Sequence, residues 1–281
     1  MDAASTRAWP GLASSPLPRI TSHYTTTGST LDVVSPETLA LLVAVAALAG
    51  MIDAIAGGGG LLALPAILWA GLPPVQALAT NKLQGTFGTM TASYRFIRSG
   101  EINLARLKIP IAMTFVGSVS GTLAVQRVGS ELLEQIVPAL LIAFALYFLF
   151  SPRIGDQDAH HRISHGLFGL LIGFSVGFYD GFFGPGTGSF FAVAFVLLLG
   201  YNLRRATAGT KILNFTSNIA SLIFFAFAGQ VVWQVGLPMG IAQMAGAWVG
   251  SHLVIRHGTA VIRPLLVIVS LAISAKLLLS D

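Results

Sequence analysis

Long apolar runs, separated by a few polar residues, make up most of this chain of 281 residues. Many of them approach the roughly 20 residues that a helix needs to cross a bilayer. Their residues are continuously apolar instead of alternating with polar ones, which disfavours a membrane β-barrel. The pattern therefore predicts an all-α, polytopic membrane protein whose longer runs lie at 39–56, 75–98, 104–126, 131–150, 165–183, 203–228, 236–255 and 259–279.

Glycine clusters interrupt this pattern twice. The stretches "AGGGG" (56–60) and "GFFGPGTG" (181–188) are each followed by a short apolar piece, at 60–71 and 187–200. At 1.5 Å per residue these pieces are too short to cross the hydrocarbon core alone. We expect them to be half-helices that re-enter the membrane or complete a broken helix.

The two glycine clusters belong to a repeat that spans the chain. Asp53 recurs 127 positions later as Asp180, and after a two-residue insertion Lys82 recurs at a shift of 129 as Lys211. The other matching pairs are Gly50 and Gly177, Gly57 and Gly184, Gly59 and Gly186, Gly71 and Gly200, Gly100 and Gly229, Gly117 and Gly246, Gly121 and Gly250, Arg127 and Arg256, and Gly129 and Gly258.

We interpret the chain as a tandem duplication. Each repeat is predicted to hold a helix pair, glycine-broken or re-entrant, followed by three transmembrane helices. The predicted parts are a disordered N-terminal tail at 1–35, repeat 1 at 36–150, a polar linker at 151–164 and repeat 2 at 165–281. The tail is rich in Ser, Thr and Pro, a composition that does not support a packed core.

Basic residues predict opposite orientations for the two repeats, because Lys and Arg gather in cytoplasmic loops. The loop after the run 75–98 is flanked by Arg95, Arg98, Arg106 and Lys108 and is placed in the cytoplasm, whereas its counterpart "GQVVWQVG" is uncharged and is placed outside. Other positions placed in the cytoplasm are Arg153, Arg162, Arg204, Arg205, Arg256, His257 and Arg263. Such an inverted repeat is typical of secondary transporters with a midplane binding site.

Composition supports the membrane assignment and excludes several other classes. The chain is 54% hydrophobic and 10% charged, whereas a soluble domain has about 25% charged residues. It contains no cysteine, which excludes disulfides, iron–sulfur clusters and thiol catalysis. The net charge of +5 is explained by cytoplasmic loops, so we expect no nucleic-acid binding.

The glycine clusters are the first candidates for a binding site. Unwound backbone at membrane depth is tolerated only where protein or a wet cavity satisfies it. A helix that starts after such a break directs free N–H groups and a partial positive charge into that space, which favours an anion. The alternative is close packing of small residues, which we assign to "GSVSG" (117–121) and "GAWVG" (246–250). The residues predicted to bind are Gly57, Gly58, Gly59, Gly60, Gly184, Gly186, Thr187 and Gly188.

Ionisable residues at membrane depth are the second group of candidates. Lys82 and Lys211 supply positive charge for an anion, and nearby amides and hydroxyls replace its lost water. Asp53 and Asp180 suit helix capping, proton coupling or gating. The alternative is a structural Asp–Lys ion pair in each half, with the lysine reaching towards the interface. The neutral candidates are Asn81, Gln84, Thr210 and Asn214. We predict no metal, no cofactor and no catalytic residue.

These residues make the chain similar to the sulfite exporter TauE/SafE family of membrane permeases, in its bacterial branch typified by YfcA. The resemblance spans about residues 40–280 and rests on "GMIDAIAGGGGLLALPAIL", "ALATNKLQGTFG", "FIRSGEINL", "GFYDGFFGPGTGSF" and "GTKILNFTSNI". It implies a glycine-rich segment at Gly57–Gly60 and Gly184–Gly188, and a polar segment at Thr80–Lys82 and Gly209–Lys211. Many relatives have Thr-Ser where this chain has Asn81-Lys82 and Thr210-Lys211, and the extra lysines suggest a more strongly anionic or larger substrate.

The resemblance implies a permease for sulfite, or for an organosulfonate such as sulfoacetate, in the bacterial inner membrane. Two other functions stay open on the sequence: a proton-coupled carrier of a carboxylate or a cation, and an intramembrane aspartyl protease that uses both aspartates. No Walker P-loop is present in the sequence, which disfavours ATP as the direct energy source. The expected partners are a small sulfur-containing anion and the lipid bilayer, and the sequence leaves a homo-oligomer open.

Overall fold

The computed structural model describes residues 34–129, 131–137, 139–140 and 162–257. Nearly all of the predicted tail, most of the linker and the run 259–279 lie outside these residues. The described helices are α1 (Pro36–Ala56), α2 (Gly60–Trp69), α3 (Pro74–Arg98), α4 (Lys108–Val125), α5 (His165–Phe168, Gly169–Gly173 and Phe174–Phe182 without a break), α6 (Thr187–Leu199), α7 (Leu203–Phe227) and α8 (Trp233–His257). The predicted all-α architecture is confirmed.

Membrane-spanning character is visible in the described helices. Three helical segments are long and apolar enough to cross a membrane by length and composition. They are α1 (Pro36–Ala56), α4 together with the 3-10 turn Leu104–Leu107 before it (Leu104–Val125), and α7 (Leu203–Phe227). Helix α3 is also 25 residues long, but its middle turns carry polar side chains that lie inside the protein. The chain is therefore a polytopic membrane protein whose long helices differ in how much polar surface they contribute to the interior.

Several polar and charged side chains are buried at membrane depth, and many large apolar side chains are exposed. Lys82, Asp180 and Lys211 are at most 3% exposed, whereas Leu170 is 55% and Phe227 88% exposed. A soluble protein shows the opposite distribution. This arrangement is the one expected for helices that face lipid on the outside and a polar site on the inside.

Helix packing follows the predicted repeat. Helix α1 packs against α8, and its counterpart α5 packs against α4, the counterpart of α8. Helix α3 packs against α8 as α7 packs against α4, and α3 and α7 contact each other. Exchanging the halves therefore maps the α1–α8 contact onto α5–α4 and the α3–α8 contact onto α7–α4, and leaves the α3–α7 contact unchanged.

The glycines of "GSVSG" and "GAWVG" lie at the two equivalent interfaces. A Cβ added at Gly121 would lie 2.0 Å from the carbonyl oxygen of Phe178, and one added at Gly250 would lie 2.4 Å from that of Met51. The α4–α5 and α1–α8 backbones thus approach too closely for any side chain at these positions. This is the packing role that the sequence predicts for both patterns.

Candidate functional site

The main chain leaves the helical conformation at both glycine clusters. Gly57 ends α1 with a φ of +84°, and Gly184 and Gly186 precede α6 with φ values of +102° and +86°. Positive φ is strained for other residues and free for glycine, so these positions explain why the clusters are rich in glycine. Helices α2 and α6 begin directly after the breaks.

The two breaks contact each other inside the protein. A Cβ added at Gly188 would lie 2.5 Å from the Cα of Gly57, and one added at Gly60 would lie 3.3 Å from the Cα of Pro185. The first turn of each of these helices, one from each half, therefore contacts the break that precedes the other. Several first-turn N–H groups donate to carbonyls of their own break, as Leu61 does to Gly58 and Thr187 to Gly184. Among the described residues the N–H groups of Gly60 and Gly188 have no acceptor, and each helix start carries a partial positive charge.

A polar cavity of about 40 Å³ lies where the breaks meet. It has room for two or three waters at roughly 10–15 Å³ each, or for an ion of similar size. Both halves contribute to its wall: Asp53, Gly57, Gly60, Asn81, Lys82 and Gly85 from the first, and Asp180, Gly184, Gly186, Thr187, Gly188, Asn214, Asn218 and Gln243 from the second.

Each lysine pairs with the aspartate of the other half. Nζ of Lys82 lies 2.8 Å from Oδ1 of Asp180, and Nζ of Lys211 lies 3.1 Å from Oδ2 of Asp53. Nζ of Lys211 also donates to the main-chain oxygen of Asp53. The alternative considered from the sequence, an ion pair within each half, is wrong because the lysine helices α3 and α7 pack across the boundary between the halves.

The two ion pairs have unequal surroundings. The Asp180 carboxylate also accepts hydrogen bonds from the Ser217 hydroxyl and, at 2.7 Å, from the Thr187 hydroxyl. The Asp53 carboxylate accepts one from the backbone N–H of Gly59 at 3.4 Å. The Asp53 side chain is 13% exposed and that of Asp180 is 5% exposed. The repeat explains part of the difference, since the first-half counterpart of Ser217 is Gly88.

Most of the predicted binding residues line the cavity. Gln84 donates from Nε2 to Oδ1 of Asn81 at 2.8 Å, and Lys211 reaches the cavity only through Asp53. A Cβ at Gly59 would lie 2.5 Å from the carbonyl oxygen of Ala49, which assigns this glycine to close packing. The predicted residues that are not part of the cavity wall are Gly58, Gly59, Gln84, Thr210 and Lys211.

Gln243 is the main cavity residue that the sequence interpretation missed. It lies on α8, where added Cβ atoms at Gly50 and Gly88 would come within 2.8 and 2.7 Å of its Cγ. The side chain therefore occupies space that these two glycines leave open. Within the described residues, Oε1 of Gln243 and Oδ1 of Asn214 are buried without a hydrogen-bond partner, so both can accept a hydrogen bond from a water or a protonated ligand. The NH2 groups of the same side chains are the groups that can donate to an anion. In the sequence, Gln243 is marked by being a single amide within an apolar run.

Comparison with known proteins gives a consistent result. The family model "Sulfite exporter TauE/SafE" matches residues 42–277. The chain is 52% identical over 252 residues to the probable membrane transporter protein YfcA of Escherichia coli strain K12, covering 90% of this chain and 94% of the relative. It is 46% identical over 241 residues to a probable membrane transporter protein of Haemophilus influenzae, covering 86% and 94%. No solved structure matches.

Proposed function

We propose, since this chain belongs to the sulfite exporter TauE/SafE family, that it is a secondary transporter for a small sulfur-containing anion. Sulfite and organosulfonates such as sulfoacetate are the substrates that we propose. The observation that carries the proposal is the buried cavity between the two glycine breaks, to which each half contributes a helix N-terminus and one member of each Lys–Asp pair.

The cavity offers two kinds of positive charge to an anion. Gly60 and Gly188, in the first turns of α2 and α6, line the cavity and have backbone N–H groups without an acceptor among the described residues, as at many anion sites. Lys82 supplies a full charge and is held by Asp180. An anion that binds here replaces a carboxylate as the partner of a lysine. A cavity of about 40 Å³ suits an ion the size of sulfite, and a longer organosulfonate requires the halves to move apart.

Charge balance favours coupling to a proton. The two lysines and the two aspartates that form the ion pairs have no net charge when all four are ionised. Adding an anion leaves a buried negative charge, which is costly in a site of low dielectric constant. A proton taken up by one aspartate removes this charge and frees its lysine. Asp53 and Asp180 are therefore the proposed coupling and gating residues.

Helices of one half pack against helices of the other, and this arrangement supports transport by alternating access. Repeat-built transporters move one bundle against the other around a fixed midplane site. In this chain the contacts that change are those between the halves, including both ion pairs and the contact of Gly57 with Gly188. The cycle that we propose opens the cavity to one side of the membrane and then to the other.

The alternative functions fit the cavity less well. A cation carrier needs carboxylates that are free to bind the cation, and here each aspartate is bound by a lysine. An aspartyl protease needs two carboxylates that share a proton, and the same pairing argues against it. A carboxylate carrier shares the anion site and is separated from a sulfur-anion carrier only by experiment.

The basic helix ends support a location in the bacterial inner membrane with one cytoplasmic face. Arg95 near the end of α3 lies 2.9 Å from His252 near the end of α8, measured from Nη2 to Nδ1. Glu101, in the loop after α3, pairs at 2.5 Å with Arg204 at the start of α7. These ends lie on one side of the protein, and we propose that this side is cytoplasmic.

Purified protein tests the substrate in two ways. Sulfite, sulfoacetate, thiosulfate, sulfate and simple carboxylates are compared for the rise in melting temperature that follows binding to the folded state, and the same ions are compared for flux into proteoliposomes. We expect the sulfur anions to stabilise and to be transported, and Lys82→Ala and Lys211→Ala to lose both effects. Lys108→Ala, at an exposed position outside the cavity, is the control. Flat responses to all sulfur anions contradict the proposal.

A further inference from the structure

A second binding feature lies on the outer surface, away from the central cavity. A groove of about 600 Å³ runs between α3 and α8, with Met90 and Tyr94 on one wall and Ile241, Met244 and Trp248 on the other. All five side chains are at least 36% exposed. In a membrane protein such a groove faces the lipid acyl chains.

Two arginines lie at the end of this groove where α3 and α8 end. The guanidinium of Arg95 lies over the ring of Trp248 at 4.0 Å from the centroid, and its Nη2 donates to Nδ1 of His252 at 2.9 Å. Arg98 donates to the hydroxyl of Tyr94 at 3.0 Å. The aromatic rings hold both cations beside the mouth of the groove.

No carboxylate among the described residues neutralises the charge of these arginines. Neither arginine forms an ion pair with an aspartate or a glutamate in the part of the chain that the structure describes. Nε of Arg95 is buried, and no described residue accepts a hydrogen bond from it. Arginine is suited to binding phosphate because its donors form a planar fork.

The equivalent face of the other half lacks this arrangement. At the shift of 129, the counterparts of Arg95 and Arg98 on α7 are Phe224 and Phe227, and the counterpart of Trp248 on α4 is Val119. The cationic end therefore does not follow from the architecture of the repeat. The arginines and the tryptophan lie on the α3–α8 pair and have no equivalent on the α7–α4 pair.

We propose that this groove binds one anionic phospholipid. An acyl chain lies along Met90 and Met244, and the phosphate group binds between Arg95 and Arg98. Basic sites between transmembrane helices at the cytoplasmic face are suited to anionic headgroups. The charge complementarity favours a lipid over a second copy of this chain, which would bring the same uncompensated arginines to the contact.

Native mass spectrometry of the full-length protein tests the site. The detergent-purified chain is titrated with phosphatidylglycerol and with phosphatidylcholine of the same acyl chains. We expect a preference for phosphatidylglycerol that falls about fivefold for each cation removed, in Arg95→Gln and in Arg98→Gln. Arg106→Gln removes an exposed cation outside the groove and should keep the preference. Unchanged melting temperatures of these variants show that they are folded.

Two outcomes overturn the proposal. One is equal binding of the two lipids by the wild type, or a preference that survives when both arginines are replaced. The other is a dimer that uses this face. Because the chain has no native cysteine, a single cysteine introduced by Met244→Cys reports such a dimer by cross-linking in native membranes. We expect no cross-link at this position.

Discussion

Lys82 of the first half is paired with Asp180 of the second at 2.8 Å, and Lys211 of the second half is paired with Asp53 of the first at 3.1 Å. The two pairs occupy equivalent positions of the repeat with the halves exchanged. Each half therefore neutralises the buried carboxylate of the other. The ion pairs connect the halves at the level of the cavity, so a movement of one half against the other has to break or rearrange them.

Removing one partner of the Lys82–Asp180 pair should be strongly destabilising. We expect Asp180→Asn and Lys82→Met each to lower the free energy of unfolding by about 3–5 kcal/mol, because each leaves a buried charge unpaired. The double variant should be more stable than either single one. Thermal and denaturant unfolding in detergent measure the three effects. Glu101→Gln breaks the partly exposed pair with Arg204 and should cost at most about 1 kcal/mol. Equal losses in all variants would contradict a specific role for the buried pair.

The two aspartates should differ in their contribution to stability. Asp180 accepts hydrogen bonds from Thr187 and Ser217, whereas Asp53 is more exposed and accepts a long bond from a backbone N–H. We expect Asp53→Asn to lower the melting temperature less than Asp180→Asn does. We also expect it to remove the dependence of anion flux on a proton gradient, because Asp53 is the carboxylate that can be released more easily.

Two measurements separate this difference from a general effect of charge. In a background of Thr187→Val and Ser217→Ala, the gap in melting temperature between the two Asp→Asn variants should shrink. Flux is measured in proteoliposomes with and without an imposed pH gradient. A larger loss of stability in Asp53→Asn, or flux that still follows the proton gradient, would argue against this assignment.

Sequence patterns predicted the helices and the breaks well because both depend on local chemistry. Apolar runs define the spans, and glycines at matched positions mark the conformations with positive φ at Gly57 and Gly184. The partner of each lysine was not predictable in this way. Spacing within one half says which residues share a helix face, but the contact of Lys82 with Asp180 depends on how α3 of one half packs against α7 of the other, which in turn packs against α5. The opposite orientation of the halves stays a prediction.

The position of Gln243 could not be predicted from the sequence for a similar reason. An isolated amide in an apolar run has many available environments, and its place at the cavity depends on Gly50 of α1 and Gly88 of α3 leaving room for it. Neither glycine is near it in sequence. For a site built from several helices, the sequence therefore predicts candidate residues on each helix but not the contacts between the helices.

Alanine at the contact between the breaks should impair both folding and transport. In Gly188→Ala the added Cβ would lie 2.5 Å from the Cα of Gly57, and backbone atoms on both sides leave little room to adjust. We expect a loss of about 1–3 kcal/mol from overpacking and a larger loss of flux, because the cavity wall shifts. Gly58→Ala is the matched control, since the nearest atom to its added Cβ would be Cδ1 of the flexible Leu61 side chain at 3.8 Å. Similar behaviour of the two variants would contradict the contact.

Alanine at the helix-packing glycines should destabilise both equivalent interfaces. Added Cβ atoms at Gly121 and Gly246 would lie 2.0 and 1.9 Å from main-chain oxygens of the facing helices. We expect each variant to lower the free energy of unfolding by about 1–3 kcal/mol. Gly129→Ala, where no atom would lie within 4 Å, should be close to neutral. Unfolding in detergent distinguishes these cases, and a stable Gly121→Ala variant would show that the helices can move apart at no cost.

Replacing the amide of Gln243 should weaken substrate binding without unfolding the protein. Leucine is similar in size to glutamine and still fills the space beside Gly50 and Gly88, but it removes from the cavity wall the amide donors, which can bind an anion, together with the buried Oε1 atom. We expect Gln243→Leu to keep its melting temperature within a few degrees and to raise the KM for the transported anion about tenfold, the effect of losing one to two hydrogen bonds to a charged group. Gln76→Leu, at the start of α3 and outside the cavity wall, should leave the KM unchanged. The KM is measured by flux into proteoliposomes. An unaltered KM in Gln243→Leu would mean that this amide does not contact the substrate. If the melting temperature also falls, the amide has a role in helix packing alone.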